Sequence, residues 1–203
     1  MFESLKAEKP LNIVQLVVMA ENTLNQPLPP DVLARYQYVK PVVLINKGNL
    51  FSPFHQQREQ SLRTGNEFQA IMAGPHVGLT TVYGPTQPLI ALAAYVPYST
   101  EGTNIAAPYP TDEQAAEMEA KITQLPQNIR RKALFHHFHP GHGVFLSPTD
   151  LKTAESLRKF NVARGPLLIG VSDPTRTTNG IFRCETTIFY WDGQRYVQCW
   201  KEK

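Results

Sequence analysis

The sequence predicts an α/β layer architecture. Three observations carry this expectation: apolar runs of strand length, segments with helical caps and spacing, and the alternation of the two along the chain. Strand-like runs include Glu67 to Ala73, Pro88 to Tyr98, Lys132 to His139, Gly165 to Ser172 and Ile181 to Tyr190; helical segments include Thr111 to Gln124 and Ser147 to Phe160. With 203 residues, 42% apolar and 18% charged, the chain suits one globular domain with a substantial core. That domain is expected over residues 39–203, after an N-terminal extension over residues 1–38.

In chain order, Leu11 to Ala20 is either a strand or a short helix, which a short apolar run does not settle. Asn22 to Asp31, rich in Pro and Asn, reads as a loop, and Asp31 to Tyr38 as one or two helical turns with Asp31 as cap. Val39 to Phe51 reads as a hairpin turning at Asn46-Lys47-Gly48-Asn49. Gln56 to Arg63 has helical character, and His55 just before it reads as a surface residue. Glu67 to Ala73 opens the next core segment. Pro75-His76-Val77-Gly78 is a turn, which sets His76 apart from any ligand set, and Leu79 to Tyr83 is a strand. Pro88 to Tyr98 reads as one strand buried on both faces. Ser99 to Pro110 is a loop.

Thr111 or Asp112 caps a helix with acidic residues in its first turn and Ala115, Met118 and Ile122 at helical spacing; Pro126 ends it. Lys132 to His139 is a strand. Ser147 is the cap of a second helix, with Pro148 at its first position and Leu151, Ala154, Leu157 and Phe160 along it. Gly165 to Ser172 is a buried strand and Asp173 to Gly180 a loop. Ile181 to Tyr190 and Arg195 to Trp200 are strands joined by the two-residue hairpin signal Asp192-Gly193. Seventeen prolines, concentrated between these elements, make the connections long and stiff.

A net charge of +3 is too small to argue for nucleic acid, and the largest basic cluster, Arg130-Arg131-Lys132, reads as a solvated helix end. Cys184 and Cys199 lack metal spacing and are too few for a disulfide framework; alternating with apolar residues, they read as buried thiols of a reducing, cytoplasmic compartment. The run LNIVQLVVMA contains Asn12 and Gln15 and does not read as a signal peptide. No segment reaches the ~18 apolar residues of a membrane span, so neither membrane nor nucleic acid is an expected partner.

The chemistry concentrates in Leu134 to Asp150, LFHHFHPGHGVFLSPTD. His137 and His139 are two apart, and on an extended segment such residues point to the same side. Two neighbouring imidazoles make half of a zinc site. Asp150 follows His139 by eleven positions, after a Gly-containing loop that can fold back. Three protein ligands of this kind leave a fourth tetrahedral position for water, the arrangement of a catalytic rather than a structural site. His136 and His142 lie in the same His-rich segment.

This run resembles the JAMM (MPN+) motif of zinc metallo-isopeptidases: His-x-His-Pro at His137 to Pro140, then Ser-x-x-Asp at Ser147 to Asp150, with ten residues between the second His and the Asp. It departs from the pattern at Phe138, where the family usually has Ser or Thr; on a strand that side chain points away from the metal. The family also needs an upstream Glu followed by small and apolar residues, which Glu67 to Gly74, EFQAIMAG, supplies with Ala70 and Met72 as substitutions and Gly74 kept. The rivals are Glu101, Glu113, Glu117 and Glu119. The resemblance spans about Glu67 to Ser172, with weaker support from Val39 onward.

The resemblance implies a cytidine deaminase-like JAB/MPN fold, a mixed β-sheet flanked by helices, with Zn2+ held by His137, His139 and Asp150. It makes Glu67 the general acid/base and Ser147 a donor to the developing oxyanion, a second task beside capping its helix. It further implies a stand-alone, prokaryotic-type isopeptidase acting after the C-terminal tail of a ubiquitin-like modifier, in precursor processing or deconjugation, including in bacterial antiviral systems. Expected partners are the modifier, its conjugates, and proteins of the activating- and conjugating-enzyme type. The tail would add as a strand beside the site, with the loop Ser99 to Pro110 helping to hold it. The competing readings are a catalytically silent scaffold of the same fold and a small-peptide metallopeptidase.

Overall fold

The computed structural model describes residues 38–45, 47–80, 87–103, 111–161, 168–176, 179–180 and 182–202. The expectations for Leu11 to Ala20 and Asn22 to Asp31, and all but the last residue of Asp31 to Tyr38, lie outside them.

The described elements are β1 (Val42–Ile45), α1 (Lys47–Thr64), β2 (Phe68–Ala73), β3 (His76–Thr80), β4 (Gln87–Leu92), β5 (Ala94–Glu101), α2 (Asp112–Gln124), β6 (Lys132–Phe138), α3 (Pro148–Asn161), β7 (Leu168–Arg176), β8 (Phe182–Trp191) and β9 (Tyr196–Lys201). Six strands form one mixed sheet in the order β5-β2-β6-β7-β8-β9, and three form a small sheet in the order β1-β4-β3. In the larger sheet β6 and β7 run parallel and the other described pairs antiparallel. The connection from β6 to β7 carries α3, so β6-α3-β7 is the crossover unit that a parallel pair requires.

Strand alternation divides the core into two layers. On one face Phe68, Ala70, Met72, Leu134, Phe138, Leu168 and Ile188 join Val43, Ile90 and Leu92 of the small sheet, with Phe54 of α1 packed against them. On the other face Ile71, Val96, Phe135 and Ile169 receive Met118 and Ile122 of α2 and Ala154 of α3. Of the two caps the sequence offers, Thr111 is the one used, and it forms a capping box: its hydroxyl accepts from the Gln114 amide and the Gln114 side chain accepts from the Thr111 amide. Among the described residues, no helix is long and apolar enough to cross a membrane.

Several local expectations are corrected. The hairpin over Val39 to Phe51 is instead β1 followed by α1, which begins at Lys47 and contains Pro53. Gly48 and Asn49 fall in the first turn, whose amides lack intrahelical partners in any helix. Tertiary packing then holds the helix, because the Phe54 ring lies 5.5 Å from Tyr95, 5.6 Å from His136 and 5.4 Å from Phe138.

Pro88 to Tyr98 is not one strand but parts of two, in different sheets, and β4 alternates between half-buried and buried positions. The turn at Pro75 to Gly78 is displaced, since β3 begins at His76. Ser99 to Glu101 and Asp173 to Arg176 extend β5 and β7 rather than forming loops. On the helices, Ala115 and Leu151 are exposed, Leu151 by 43%. Cys184 and Cys199 are free and only partly buried.

Candidate metal centre

The C-terminal end of β6 and the first turn of α3 meet at one point. His137 and His139 leave the strand on the α2/α3 side, while the intervening Phe138 turns into the opposite layer, where it is fully buried. Ser147 is the N-cap of α3: its Oγ accepts from the Asp150 amide at 3.2 Å and its own amide donates to Asp150 Oδ2 at 2.7 Å. This reciprocal box fixes Asp150 on the rigid first turn, where the helix dipole also favours a carboxylate.

Three side chains converge. His137 Nε2 lies 3.1 Å from Asp150 Oδ1, His139 Nε2 lies 3.3 Å from Asp150 Oδ2, and the two Nε2 atoms are 2.9 Å apart. Their ligand atoms all lie within 4.8 Å of one another, forming a group able to hold a metal ion. Both histidines are buried, at 2% and 3% exposure, and Asp150 is half-buried. The two facing imidazole nitrogens cannot both carry a proton without repulsion, whereas one cation between them and the carboxylate satisfies all three.

Glu67 completes the group. Gln69 pairs with His137 across β2 and β6, so the antiparallel ladder brings Glu67, two residues earlier, beside His139, two residues later. Glu67 Oε1 lies 3.8 Å from His139 Nε2, and Glu67 is 5% exposed. Its backbone is held from both sides: the Glu67 amide donates to the Thr103 carbonyl and the Gly102 amide to the Glu67 carbonyl, each at 2.9 Å. The rival glutamates belong to other elements, although Glu101 stands opposite Phe68 on the strand paired with β2. Glu101 ends β5; Glu113, Glu117 and Glu119 sit on α2, where Glu117 pairs with Lys121 and Glu119 with Lys132.

The charges of the cluster are set by its contacts. Burial alone would raise the Asp150 pKa, but hydrogen bonds with His137, His139 and Ser147 hold its carboxyl far below the usual range. Burial alone would lower His139; the hydrogen bond and charge of Asp150, the charge of Glu67 and the Gly143 backbone together lift it above an ordinary imidazole. Among the described residues no partner meets Nδ1 of either His137 or His139 in hydrogen-bonding geometry. The rings are braced by packing instead, His137 against Phe135 at 6.0 Å and His139 against Phe145 at 5.6 Å.

The other histidines are separate from this point. His136 is fully buried on the α1 face, with Nδ1 3.2 Å from the Tyr95 hydroxyl and Nε2 2.8 Å from Ser172 Oγ. Burial, then the nearby His137 and His139 charges, keep it well below an ordinary imidazole. Tyr95 continues this chain to Gln57 Oε1 at 2.5 Å, and Ser172 to Thr186 at 2.7 Å. His142 is exposed, and His76 lies in β3. Sequence reasoning passed over Gln69, a buried amide directly across from His137; its signal was available, since it stands two residues after Glu67 on the same strand face.

No protein-family model matches this chain, and no curated protein matches its sequence.

Proposed function

We propose that the chain is a JAMM-type, zinc-dependent amide hydrolase that cuts after the C-terminal tail of a ubiquitin-like modifier, in precursor processing or in reversal of conjugation. The observation that carries the proposal is the buried meeting of two imidazoles and one carboxylate with a second carboxylate, Glu67, at its margin. Two histidines and an aspartate are a ligand set suited to zinc. With zinc–ligand bonds of about 2.0–2.2 Å, the edges of a tetrahedral cage are about 3.3–3.6 Å. The 2.9 Å between the two histidine nitrogens lies within several tenths of an ångström of that; Asp150 approaches His137 through Oδ1 at 3.1 Å and His139 through Oδ2 at 3.3 Å, so a single coordinating oxygen would require its carboxylate to turn.

Zinc bound there supplies Lewis acidity, which polarises an amide carbonyl and acidifies water. His137, His139 and Asp150 would hold the ion, and three protein ligands of this kind would leave a position for water. Glu67, beside the cage rather than in it, accepts the proton that water releases on attacking the carbonyl and delivers it to the leaving amine as the C–N bond breaks. Ser147 uses its oxygen lone pair for the cap, and its hydroxyl proton remains for the developing oxyanion, a donation typically worth ~3 kcal/mol. Capping therefore leaves the Ser147 hydroxyl proton for this second task. Among the described residues β5 ends the six-stranded sheet beside β2, which presents an edge for an extended tail. Ser99 to Glu101, read from sequence as part of a tail-holding loop, belong to that strand; residues 104–110 lie outside the described set.

The test is cleavage of a panel of ubiquitin-like C-terminal fusions and lysine-linked conjugates by zinc-loaded wild type and Glu67→Gln. The expected result is cutting after the modifier's last residue, with Glu67→Gln slower by about 10²–10⁴-fold while retaining zinc. A zinc-loaded wild type that cuts no member of the panel would overturn this substrate class.

A further inference from the structure

We propose that Asp173 is a positioning residue for the metal cage, its carboxylate clamping the loop that joins the two halves of the ligand set; the inference rests on His137, His139 and Asp150 binding zinc. The ligands come from separate elements, two at the end of β6 and one on the first turn of α3, so the loop between His139 and Ser147 decides how they meet. Three consecutive attachments tie that loop to β7. The His139 amide donates to the Ser172 carbonyl at 2.8 Å. The Gly141 amide donates to Asp173 Oδ1 at 2.7 Å and the Gly143 amide to Asp173 Oδ2 at 2.9 Å. Each carboxylate oxygen takes one amide, and hydrogen bonds to an ionised acceptor are the stronger kind.

The loop is shaped for this clamp. Gly141 and Gly143 have φ of 80° and 87°, a backbone region that residues with a Cβ rarely adopt. Asp173 is itself placed on a paired strand, opposite Glu185 of β8 and followed by the fully buried Pro174. Metal-bound histidines are ordinarily oriented by a hydrogen bond to the outer ring nitrogen. Among the described residues Nδ1 of neither histidine meets a partner in full hydrogen-bonding geometry, so their orientation falls to backbone approach and packing. The clamped segment contributes to both: Gly143, whose amide Asp173 holds, has its backbone against the His139 ring, and the Phe145 ring meets that ring edge-on at 5.6 Å.

The test is titration of metal-free, full-length protein with zinc against a chromophoric chelator, with thermal unfolding of the metal-free forms alongside. Wild type, Asp173→Asn, Gly141→Ala and the ligand variant His137→Ala are compared. Asp173→Asn keeps the shape but sets an amide group against one of the two glycine donors. It is expected to weaken zinc binding about 10–100-fold, the range typical of lost outer-shell partners. A Cβ at Gly141 would meet no atom within 4 Å, so Gly141→Ala perturbs the loop through its backbone alone and is expected to weaken binding in the same direction. Asp173→Asn within twofold of wild type overturns the clamp even if its melting temperature falls, because the residue then serves stability only. If Asp173→Asn does not fold, Gly141→Ala within twofold of wild type overturns it. Failure of wild type itself to bind zinc overturns the metal reading and the clamp together, whereas tight binding by wild type with loss only in His137→Ala overturns the clamp alone.

Discussion

Replacing Gly74 by alanine should be among the more damaging single-methyl additions to this chain. Gly74 lies where β2 hands over toward the small sheet, and the backbone between β4 and β5 crosses directly over it. A Cβ at Gly74 would sit 1.8 Å from the Ala91 carbonyl oxygen, 2.9 Å from the Ala91 carbonyl carbon and 3.0 Å from the Ala93 nitrogen. All three are backbone atoms, so no side chain can swing away. The Ala91 carbonyl must retreat by about 1 Å, and insertion into a packed interior typically costs about 1–3 kcal/mol. That backbone is held by the Ala91 amide on the Pro75 carbonyl at 3.0 Å and the Ala93 amide on the Ala73 carbonyl at 2.9 Å. Loosening both adds about 1 kcal/mol each, for a total of about 3–5 kcal/mol. For a domain of this size each kcal/mol lowers Tm by about 2–4 °C, so a fall on the order of 10 °C is expected.

Thermal unfolding followed by circular dichroism measures it, with Gly65→Ala as the comparison. Gly65, unlike Gly74, has a left-handed φ, 72°, and nothing lies within 4 Å of its Cβ position. Its substitution should cost only the conformational term, about 1 kcal/mol. A Gly74→Ala protein that melts with or above Gly65→Ala would refute the reasoning.

Three further outcomes follow from the titrating groups. His139 is lifted above the ordinary 6.5, so its contribution to the metal-free fold is complete below that value and lost as pH rises through the raised one. The metal-free protein should therefore melt lower at about pH 9 than at about pH 6, with the slope reduced in His139→Ala. Zinc affinity should rise about tenfold per pH unit while His139 remains protonated in the metal-free state. Asp150, held far below 3.8, keeps its charge throughout that range. Burial raises the Cys184 thiol to about 11 and the Cys199 thiol to about 12, so both should alkylate slowly in native protein at about pH 8 and quickly in denaturant. Mass spectrometry after an iodoacetamide pulse reads this, and equal labelling in the two conditions would contradict it.

The cluster of His137, His139 and Asp150 was legible because each part follows a local rule. Strand alternation fixes His137 and His139 on one side, and cap chemistry fixes Asp150 on the first turn of α3. Glu67 was legible only through its resemblance to a motif, since the cross-strand register that brings it to His139 is a long-range property. The same limit explains the misread elements. Asn, Gly and Pro around Lys47 to Pro53 are turn residues by local chemistry, yet Phe54 packing on Tyr95, His136 and Phe138 holds a helix there. The run Pro88 to Tyr98 is continuously apolar because it serves two sheets in succession, and nothing at Ala93 marks the change except the crossing over Gly74. Asp173, next to a proline, looks like a turn former, and its clamp on Gly141 and Gly143 spans about thirty residues of sequence.

The most direct test of the central claim is zinc content by elemental analysis of purified protein, for wild type, His139→Ala and Glu67→Ala. One zinc per chain in wild type and in Glu67→Ala, with little in His139→Ala, is the expected result and places Glu67 outside the ligand shell. Wild type that takes up no zinc when supplied with it, or His139→Ala that retains a full equivalent, would contradict the metal centre described above.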